Sequence, residues 1–580
     1  MRHRFKPLLL LFIPLLGFTD CKKKAAAEIQ PQPEAAISAV PYTGGVRISW
    51  DYSTLRKISK VAGYNGYARM IEAADHSFIC VYESNGNVVV TKSSDKGITW
   101  SPPVTVEEKA NGINMSVPDI LQLNDGSLLV CYNPRPSQPT RRFSIRTKKS
   151  YDGGLTWTDG KLLYEADYYF ENGCWEPSAI QLPGGEIQLY FANEGTFLSS
   201  NEQNISMLRS RDNGITWTST PEVVSYRAGS RDGMPVPLLL NNKKDIVVAI
   251  EDNGFSNFKP YIIRNSLSQN WTSYVNSSSA DRSYALSQRI ADNIYAGAPF
   301  IRQLASGETI LSYQGTEGRN NTMDNADMKV VIGNTEARSF DIKSSPFTIP
   351  ENKSALWNSL AVTSDNKVIA LTSTNAFSAN STEVWMIEGH VISNVKAEQS
   401  SINVDGQFNE DAWNSPFPLF VGHKGATQVR AGVNYDNENL YVLTAVKDNM
   451  ISANTSPDES DGVTFYVTTL KDGYKVPVKG IFSFLVTVDN KIVVREGENG
   501  GWLKREISSV RSETTKTNNS YRQEIAIPWT LLGGKPALDS EIALNLGITE
   551  ASGKQVADYR ETITNCMETQ SSTWLRFKIK

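Results

Sequence analysis

Histidine and cysteine are scarce in this chain of 580 residues, which contains 4 histidines and 5 cysteines. His3 belongs to an N-terminal targeting segment, while His76, His390 and His423 are scattered without an HExxH-type pairing. Zinc hydrolases and Ser-His-Asp enzymes need histidine beside their other functional groups. The sequence therefore disfavours both classes and predicts no metal and no other cofactor.

An excess of positive charge is also lacking. Lys and Arg total 58 against 62 Asp and Glu, which gives a formal net charge of −4. Nucleic-acid and polybasic membrane partners require concentrated positive charge, so neither is expected. Glycine (40 residues) and aromatic residues (10%, with 12 Trp) are plentiful, as a turn-rich β protein requires. Carboxylates and aromatic rings are the side chains that remain for chemistry.

The apolar run at the N-terminus, residues 8–18, is too short to span a bilayer. It follows Arg2, Arg4 and Lys6, which is the order expected in a secretory signal peptide. The four cysteines outside this region show no disulfide-framework spacing, and Cys80 and Cys131 are predicted to be buried thiols.

Cys21 follows the apolar run directly, and a tail rich in Pro, Ala and Gln comes after it. This order predicts a bacterial lipoprotein, with a signal peptide over residues 1–21, lipidation at Cys21 and a flexible tether over residues 22–42. The protein is then secreted across the inner membrane to the cell envelope, facing the periplasm or the exterior, and contacts the membrane only through its lipid anchor. A cleaved signal peptide followed by an incidental cysteine is the alternative.

One pattern recurs six times along the chain. Each copy has a small or Pro-bearing start, an apolar strand, an Asp/Gly/Asn turn and a second apolar strand, which predicts a β-hairpin. The spacing leaves room for four strands in each unit. Six such units predict a six-bladed β-propeller over residues 43–391, because radial closure leaves no long strand edge exposed. The copies start at Tyr67, Val117, Glu176, Met234, Ala298 and Leu356.

A second motif, S-x-D-x-G-x-T-W, occurs in register with the hairpins. Its Asp is expected to cap backbone N–H groups, its Gly to adopt a conformation that other residues avoid, and its Trp to pack between sheets. These Asp boxes predict structural turns and not catalytic groups. The copies span residues 93–100, 150–157 and 210–217, with a degenerate fourth copy at 265–272.

Two glutamates stand out on the face where innermost strands begin and second strands end. Glu176 opens the innermost strand of the third unit, and Glu251 ends the second strand of the fourth unit after a continuous apolar run. A carboxylate in such a place is a candidate for a shifted pKa. Glycoside hydrolysis commonly uses a carboxylate pair, so Glu176 and Glu251 are the candidate catalytic residues. The alternative for each is a structural salt bridge or loop cap.

Further polar and aromatic residues fall on the same face and are candidate substrate-binding groups, although arginines in such places can also tie loops together. This group consists of Arg69, Asn133, Arg135, Trp175, Glu194, Arg231, Asp232, Tyr313 and Gln314.

Beyond residue 391 the period changes and the Asp-box pattern stops. Alternating strands with Asp, Gly and Asn turns predict a β-sandwich over residues 392–580. Trp502 lies near Gly500 and Gly501 and is predicted to be an exposed sugar platform, whereas Trp413 and Trp529 are predicted to lie in the core. The expected fold is all-β, with a six-bladed propeller followed by a β-sandwich.

The Asp boxes and the six-fold hairpin repeat resemble the sialidase superfamily over roughly residues 43–391. That resemblance implies an arginine for the substrate carboxylate at the position of Arg69 and a nucleophilic tyrosine in the last unit. This sequence has Trp357 where the tyrosine is expected, and Arg69 lacks the proline of the Arg-Ile-Pro motif. An exo-sialidase is therefore an alternative and not the favoured function.

The order Trp175-Glu176-Pro177, followed later by a glutamate that closes a hairpin, resembles glycoside hydrolase family 93. This resemblance implies an exo-acting, retaining arabinanase with Glu176 and Glu251 as the catalytic pair, their two roles being left open. The same segments also resemble the sialidase-like BNR-repeat proteins of Bacteroidetes. The C-terminal region resembles the family 9 carbohydrate-binding modules, which implies an oligo- or polysaccharide partner. A non-catalytic glycan-binding surface protein is the further alternative.

Overall fold

The structure, a computed structural model, describes residues 37–580 apart from 255–256, 379–380, 394, 416, 423–426, 552–556 and 558. The predicted signal peptide, Cys21, most of the predicted tether and His423 lie outside the described residues, so lipidation at Cys21 stays a prediction. No helix in the described part of the chain is both long and apolar enough to cross a membrane. Residues from Ala39 to Lys580 form one unit, which contains the strands of both domains.

Six four-stranded antiparallel sheets form the blades of a propeller. The first strand of the chain, β1 (Arg47–Lys57), precedes blade 1 in the sequence but belongs to the sheet of blade 6. The strands of blades 1 to 3 are, from the innermost outwards, β2 (Asn65–Glu72), β3 (Phe78–Ser84), β4 (Asn87–Ser93) and β5 (Val104–Glu107); β6 (Ile113–Gln122), β7 (Leu128–Pro136), β8 (Ser144–Ser150) and β9 (Lys161–Glu165); and β10 (Cys174–Gln181), β11 (Ile187–Asn193), β12 (Asn204–Ser210) and β13 (Glu222–Ser225).

Blades 4 and 5 have the same order, and blade 6 contributes three consecutive strands. They are β14 (Asp232–Leu239), β15 (Asp245–Asp252), β16 (Lys259–Ser266) and β17 (Arg282–Tyr284); β18 (Ala296–Gln303), β19 (Thr309–Gly315), β20 (Asp327–Gly333) and β21 (Asp341–Ser344); and β22 (Ala355–Val362), β23 (Lys367–Thr374) and β24 (Glu383–Ile392).

The ring is closed by strands from its two ends. β1 pairs antiparallel with β24, from Arg47 opposite Ile392 to Lys57 opposite Trp385, and so becomes the outermost strand of blade 6. With β1 added, blade 6 has four strands like every other blade, and β24 has a neighbouring strand on both sides.

The three Asp boxes form the same turn between the third and fourth strands of blades 1 to 3. In the second box, Asp152 Oδ1 accepts hydrogen bonds from Ser150 Oγ at 2.8 Å and from the Thr156 N–H at 2.9 Å. The glycine of each box has a positive φ, between 82° and 96°. The box tryptophans pack in the cores between neighbouring blades, as predicted.

The third and fourth strands of blade 5 are joined by a different turn. Asn334 Oδ1 accepts the backbone N–H groups of Arg338 at 2.9 Å and Glu336 at 3.0 Å. Each Asp box has two consecutive residues with positive φ, whereas here the positive values fall on Ala337 and Ser339, which are not adjacent. The turn is therefore not an Asp box, in agreement with the lack of the motif in its sequence.

The C-terminal domain contains two packed β-sheets. Its strands are β25 (Lys396–Gln399), β26 (Leu419–Gly422), β27 (Gln428–Tyr435), β28 (Asn439–Lys447), β29 (Gly462–Thr468), β30 (Ile481–Thr487), β31 (Ile492–Glu498), β32 (Gly501–Arg505), β33 (Arg511–Lys516), β34 (Ser520–Pro528), β35 (Glu541–Glu550), β36 (Tyr559–Thr562) and β37 (Leu575–Ile579). One sheet has the order β32-β31-β30-β29-β35-β37 and the other β27-β28-β34-β33, and β25 pairs with both.

Apolar side chains of both sheets form one core, which includes Phe465, Phe484 and Ile525. Trp529 belongs to this core and Trp413 packs in a smaller cluster beside it, in agreement with their predicted positions. The remaining regular structure in the described residues consists of short 3-10 helices, Phe170–Asn172, Met323–Asn325, Asp411–Asn414, Pro457–Glu459 and Ser571–Thr573. The predicted fold class, an all-β propeller followed by a β-sandwich, is confirmed.

A polar cluster joins blade 6 to the C-terminal domain. Asp51 of β1 lies 3.2 Å from His390 Nε2 and also accepts a hydrogen bond from Gln428 of β27. Arg430 Nη2 lies 3.1 Å from the same histidine nitrogen, and the His390 and Phe420 rings are 4.3 Å apart. The strand that closes the ring is therefore also a strand on which the second domain packs.

Replacement of Asp152 by Ala removes the acceptor of the second Asp box. We expect the thermal midpoint of the propeller to fall by roughly 2–4 °C. Hydrogen bonds from the Thr156 side chain and backbone lower the pKa of Asp152 to about 2. The difference from the wild type should therefore persist from pH 8 down to about pH 4 and shrink as the pH falls towards 2.

Asp159→Ala is the matched control, since Asp159 is an exposed aspartate just outside the box. Scanning calorimetry of both variants at several pH values measures the effect. An unchanged midpoint for Asp152→Ala, or an equal fall in both variants, would contradict the assigned role.

Candidate active site at the mouth of the propeller

Each innermost strand contains a β-bulge near its start, on the face that we call the mouth. The pairing register slips there in all six blades. The first bulged residue has a φ of 48° to 54° in every blade, although none is glycine. Proline follows it at positions 118, 177, 235 and 299, and bulges tolerate proline because they require no ladder N–H. The residues are Tyr67, Val117, Glu176, Met234, Ala298 and Trp357.

These six residues form the axial ring of the propeller. Tyr67, Val117, Met234, Ala298 and Trp357 pack against one another, and the Tyr67 and Trp357 rings are stacked at 4.4 Å. Glu176 is the sixth member and the one that carries a charge. The sequence alignment that starts the sixth copy at Leu356 is wrong by one residue, because Trp357 has the left-handed backbone.

Polar side chains at the ends of second strands bind the N–H groups of the axial ring in the next blade. This contact joins blade 4 to blade 5, blade 5 to blade 6 and blade 6 to blade 1, at the point where the bulge leaves a donor without a ladder partner. The contacts are Tyr67 N–H to Ser373 Oγ at 3.0 Å, Ala298 N–H to Glu251 Oε2 at 2.9 Å and Trp357 N–H to Gln314 Oε1 at 2.8 Å.

Glu176 forms an ion pair with Arg135, with 3.1 Å between Oε1 and Nη2. Arg135 is itself fixed, because its Nε donates to Asn133 Oδ1 at 2.7 Å and its guanidinium lies 4.9 Å from the Trp175 ring centroid. Asn133 is fully buried and donates to two backbone carbonyls. Burial raises the pKa of Glu176, and the contact with Arg135 opposes the rise.

Glu251 is the last residue but one of β15 and forms no ion pair with any of the described residues. It lies between two glycines: a Cβ at Gly297 would be 2.8 Å from Oε2, and one at Gly233 would be 3.1 Å from Oε1. A side chain at either position would collide with the carboxylate. Burial raises the pKa of Glu251 to about 7, and the negative charge of Glu176 adds to the rise. Glu251 is therefore a weakly acidic carboxyl group of the mouth, and no described cation forms an ion pair with it.

Glu194 links Trp175 to Arg231 at the side of the mouth. Trp175 Nε1 donates to Glu194 Oε1 at 3.1 Å, and Arg231 Nη2 donates to the same oxygen. Arg231 also donates to Gln203 Oε1 at 2.9 Å. Burial raises the pKa of Glu194 to about 7, against the opposing charge of Arg231.

The structure thus brings together most of the residues that the sequence singles out. Those in the mouth are Glu176, Glu251, Asn133, Arg135, Trp175, Glu194, Arg231 and Gln314.

Arg69 lies deeper in the central channel than the axial ring. It is 7% exposed, donates to the backbone carbonyls of Ala68 and Trp357, and lies 4.9 Å from the Phe300 ring centroid. Its donors therefore bind backbone carbonyls of its own blade and of blade 6.

Asp232 and Tyr313 are not brought to the mouth. Asp232 is fully buried and forms ion pairs with Arg227 and Arg282 at 2.9 and 2.8 Å. Tyr313 is fully buried in the core of blades 4 to 6, and its hydroxyl donates to Glu317 Oε1 at 2.6 Å. Both side chains point away from the channel because neighbours in a strand alternate between faces.

Three residues of the mouth escape the sequence interpretation: Glu83, Gln203 and Tyr295. Glu83 is the last residue but one of β3 and pairs with Gly66, as Glu251 is the last but one of β15 and pairs with Gly233. Alignment of the six hairpins on the ends of their second strands would have found it. Tyr295 accepts a hydrogen bond from Gln314 at 2.7 Å, but it precedes its strand and carries no repeat signal.

The C-terminal domain contains two further groups of polar residues. One lines a cavity of about 470 Å³ and includes Tyr466, Arg495 and the half-buried Trp502, whose Nε1 has no partner among the described residues. The other consists of Asp448, Asp461 and Glu550, whose carboxylate oxygens lie within 4.8 Å of one another. Three carboxylates at such distances are able to hold a divalent cation.

Two family models match this chain. Residues 76–284 match the model described as BNR repeat-like domain, and residues 402–576 match the one described as Carbohydrate family 9 binding domain-like. The predicted resemblances of the propeller and of the C-terminal domain are thereby confirmed. None of the curated proteins matches the sequence.

Several solved structures resemble parts of the chain. A protein of unknown function from Dyadobacter fermentans is 16% identical, with a TM-score of 0.46 and coverage of 60% of this chain and 99% of that chain. The alpha-L-arabinofuranosidase Arb93A of Fusarium graminearum is 16% identical, with a TM-score of 0.45 and coverage of 59% and 97%. A family 9 carbohydrate-binding module of Caldicellulosiruptor kristjanssonii is 18% identical, with a TM-score of 0.28 and coverage of 32% and 94%.

Glu251→Gln should change how the stability of the propeller depends on pH. A carboxyl group with a raised pKa in the folded state favours folding below its unfolded pKa, and this contribution is lost as the pH rises towards 7. The amide oxygen of Gln retains the bond to the Ala298 N–H but does not ionise. We therefore expect the free energy of unfolding of the variant, relative to that of the wild type, to rise by about 2 kcal/mol from pH 5 to pH 8. Urea unfolding at each pH measures this difference.

Glu186→Gln is the control for this measurement. Hydrogen bonds from Gln188 and Arg209, although opposed by burial, lower the pKa of Glu186. Its effect on stability should therefore be constant between pH 5 and pH 8. Parallel stability curves for the wild type and Glu251→Gln would show that Glu251 is ionised in the folded protein throughout this range.

Proposed function

We propose that this protein is a retaining glycoside hydrolase that acts on glycans through Glu251 and Glu176. The observation that carries the proposal is the difference between the two carboxyl groups in one mouth. Glu176 has an arginine in direct contact, whereas Glu251 has a pKa raised to about 7 and no cation partner among the described residues. Two carboxyl groups whose surroundings move their pKa values apart are typical of an active site in which one group is ionised and the other is a general acid.

In the proposed reaction, Glu251 in its acid form donates a proton to the glycosidic oxygen. The Glu176 carboxylate attacks the anomeric carbon, the bond to the leaving group breaks, and a glycosyl ester of Glu176 forms. Glu251, now ionised, then takes a proton from water, whose oxygen attacks the same carbon and releases Glu176. Burial raises the pKa of Glu176, and Arg135 opposes the rise and so favours the ionised form that the attack requires.

An arabinan-like glycan is the proposed substrate class, and cleavage from a chain end is the proposed mode. Support comes from the likeness of Trp175-Glu176-Pro177 and Glu251 to the catalytic segments of glycoside hydrolase family 93. The C-terminal domain supports a polymeric substrate, since its sequence matches a carbohydrate-binding model. We propose that the cavity beside Trp502 holds part of the same glycan, with the indole ring as a stacking surface.

Substitution of each glutamate tests the two roles separately. On a panel of 4-nitrophenyl arabinofuranosides and a sialoside, we expect Glu176→Gln to lose activity with every substrate that the wild type cleaves. Glu251→Gln should lose about 10²- to 10⁴-fold in kcat with poor leaving groups. It should retain much more activity with a 2,4-dinitrophenyl glycoside, because that leaving group departs without a proton.

Azide adds a second readout. In Glu251→Gln it should restore turnover and give a glycosyl azide of the same anomeric configuration as the substrate. Glu186→Gln, a substitution on the opposite face, should leave activity unchanged. Full activity in Glu176→Gln or in Glu251→Gln would refute the assignment. Glycan binding without cleavage of any panel substrate would favour a binding protein, and cleavage of the sialoside alone would favour a sialidase.

A further inference from the structure

Three consecutive aromatic residues are exposed beside the mouth. Tyr168, Tyr169 and Phe170 have exposed fractions of 39%, 59% and 67%. They lie on the loop of residues 166–173, which we call the rim loop. It connects β9, the outermost strand of blade 2, with β10, the innermost strand of blade 3. Because β10 starts at the mouth, the rim loop lies on the face that contains Glu176 and Glu251.

The rim loop is held firmly in place. The Ala166 N–H donates to the Phe143 carbonyl at 2.9 Å, and the Phe143 N–H donates to the Asp167 carbonyl at 3.1 Å. At the other end of the loop, the backbone N–H of Glu194 donates to the Gly173 carbonyl at 3.0 Å. Asp167 accepts the Tyr168 N–H at 2.7 Å and so stabilises the turn from within. A loop fixed in this way presents its aromatic side chains without a large loss of conformational freedom on binding.

An unbroken series of contacts joins the exposed rings to the candidate active site. The Phe170 ring lies 4.7 Å from the Trp175 ring. The Trp175 ring lies 4.9 Å from the guanidinium of Arg135, which forms the ion pair with Glu176. Trp175 is itself buried, so Phe170 is the ring of this series that a chain leaving the axial ring over blade 3 can contact.

Three consecutive exposed aromatic residues indicate a ligand-binding surface. Each exposed ring leaves apolar area in contact with water, which costs about 25 cal/mol of free energy per Å². Neighbouring exposed rings are therefore typical of binding surfaces. The surrounding side chains are polar, and Arg142 packs on the Tyr168 ring at 4.7 Å. Apolar faces combined with polar neighbours suit sugar rings, which have both C–H faces and hydroxyl edges.

We infer that the rim loop is a binding site for the part of a glycan chain that extends beyond the bond to be cleaved, with Tyr169 and Phe170 as stacking surfaces. This inference rests on the proposed function, whose site it extends. It assigns the enzyme a preference for oligomers over glycosides of a single sugar.

The test compares two substrates of different length. Tyr169→Ala/Phe170→Ala should lower kcat/KM for arabinohexaose by at least about fivefold, mainly through KM, because it removes contacts made in both the ground and transition states. The value for 4-nitrophenyl α-L-arabinofuranoside, which ends at the first sugar, should stay within about twofold. Tyr151→Ala is the control, since Tyr151 is 67% exposed on the Asp-box face, and it should change neither value.

An equal fall with both substrates would overturn the inference and indicate a structural role for the rim loop. No fall with either substrate would also overturn it, and is the result expected if the rings bind another protein. If the wild type cleaves neither substrate, the proposed function fails, and calorimetric titration with arabinohexaose then decides the inference. Weaker binding by the double variant supports the rim site, whereas equal or undetectable binding by both proteins overturns it.

Discussion

The architecture depends on one backbone constraint, the left-handed bulge at the start of each innermost strand. Six residues other than glycine adopt a positive φ there, a conformation that costs about 1–2 kcal/mol per residue. In return, the bulge turns six side chains towards one axis and frees an N–H group that a side chain of the preceding blade can bind. Five blades use this position for an apolar or aromatic side chain, and blade 3 uses it for a carboxylate. The mouth is therefore a specialised version of the contact that assembles the ring.

The same constraint explains why Glu251 has two functions in the structure. One of its oxygens binds the Ala298 N–H, as Gln314 and Ser373 bind the equivalent groups in the next two blades. Glu83 likewise uses a carboxyl group to bind the Val117 N–H, whereas Gln314 and Ser373 perform the task with neutral side chains. A buried carboxyl group without a cation shifts towards its protonated form. Blade assembly and the pKa of Glu251 thus have a common origin.

The sequence was sufficient to predict the repeat and the two glutamates, because both leave local patterns. Asp boxes and hairpins depend on neighbouring residues, and Glu176 and Glu251 interrupt apolar runs. The contacts that fix the side chains of the mouth could not be predicted from the sequence. Asp232 and Tyr313 lie next to mouth residues in the chain but on the opposite side of their strands. The group of Asp448, Asp461 and Glu550 forms between distant segments, so no local pattern indicates it.

Closure of the ring by β1 and β24 gives this fold a particular vulnerability. The two strands are separated by five complete blades, so their pairing cannot form until the rest of the propeller has been assembled. A chain in which β1 is displaced presents β24 as a bare edge, and a β1 from a second molecule has the same sequence and fits it equally well. Exchange of this strand between copies is the route by which such a ring would form entangled dimers.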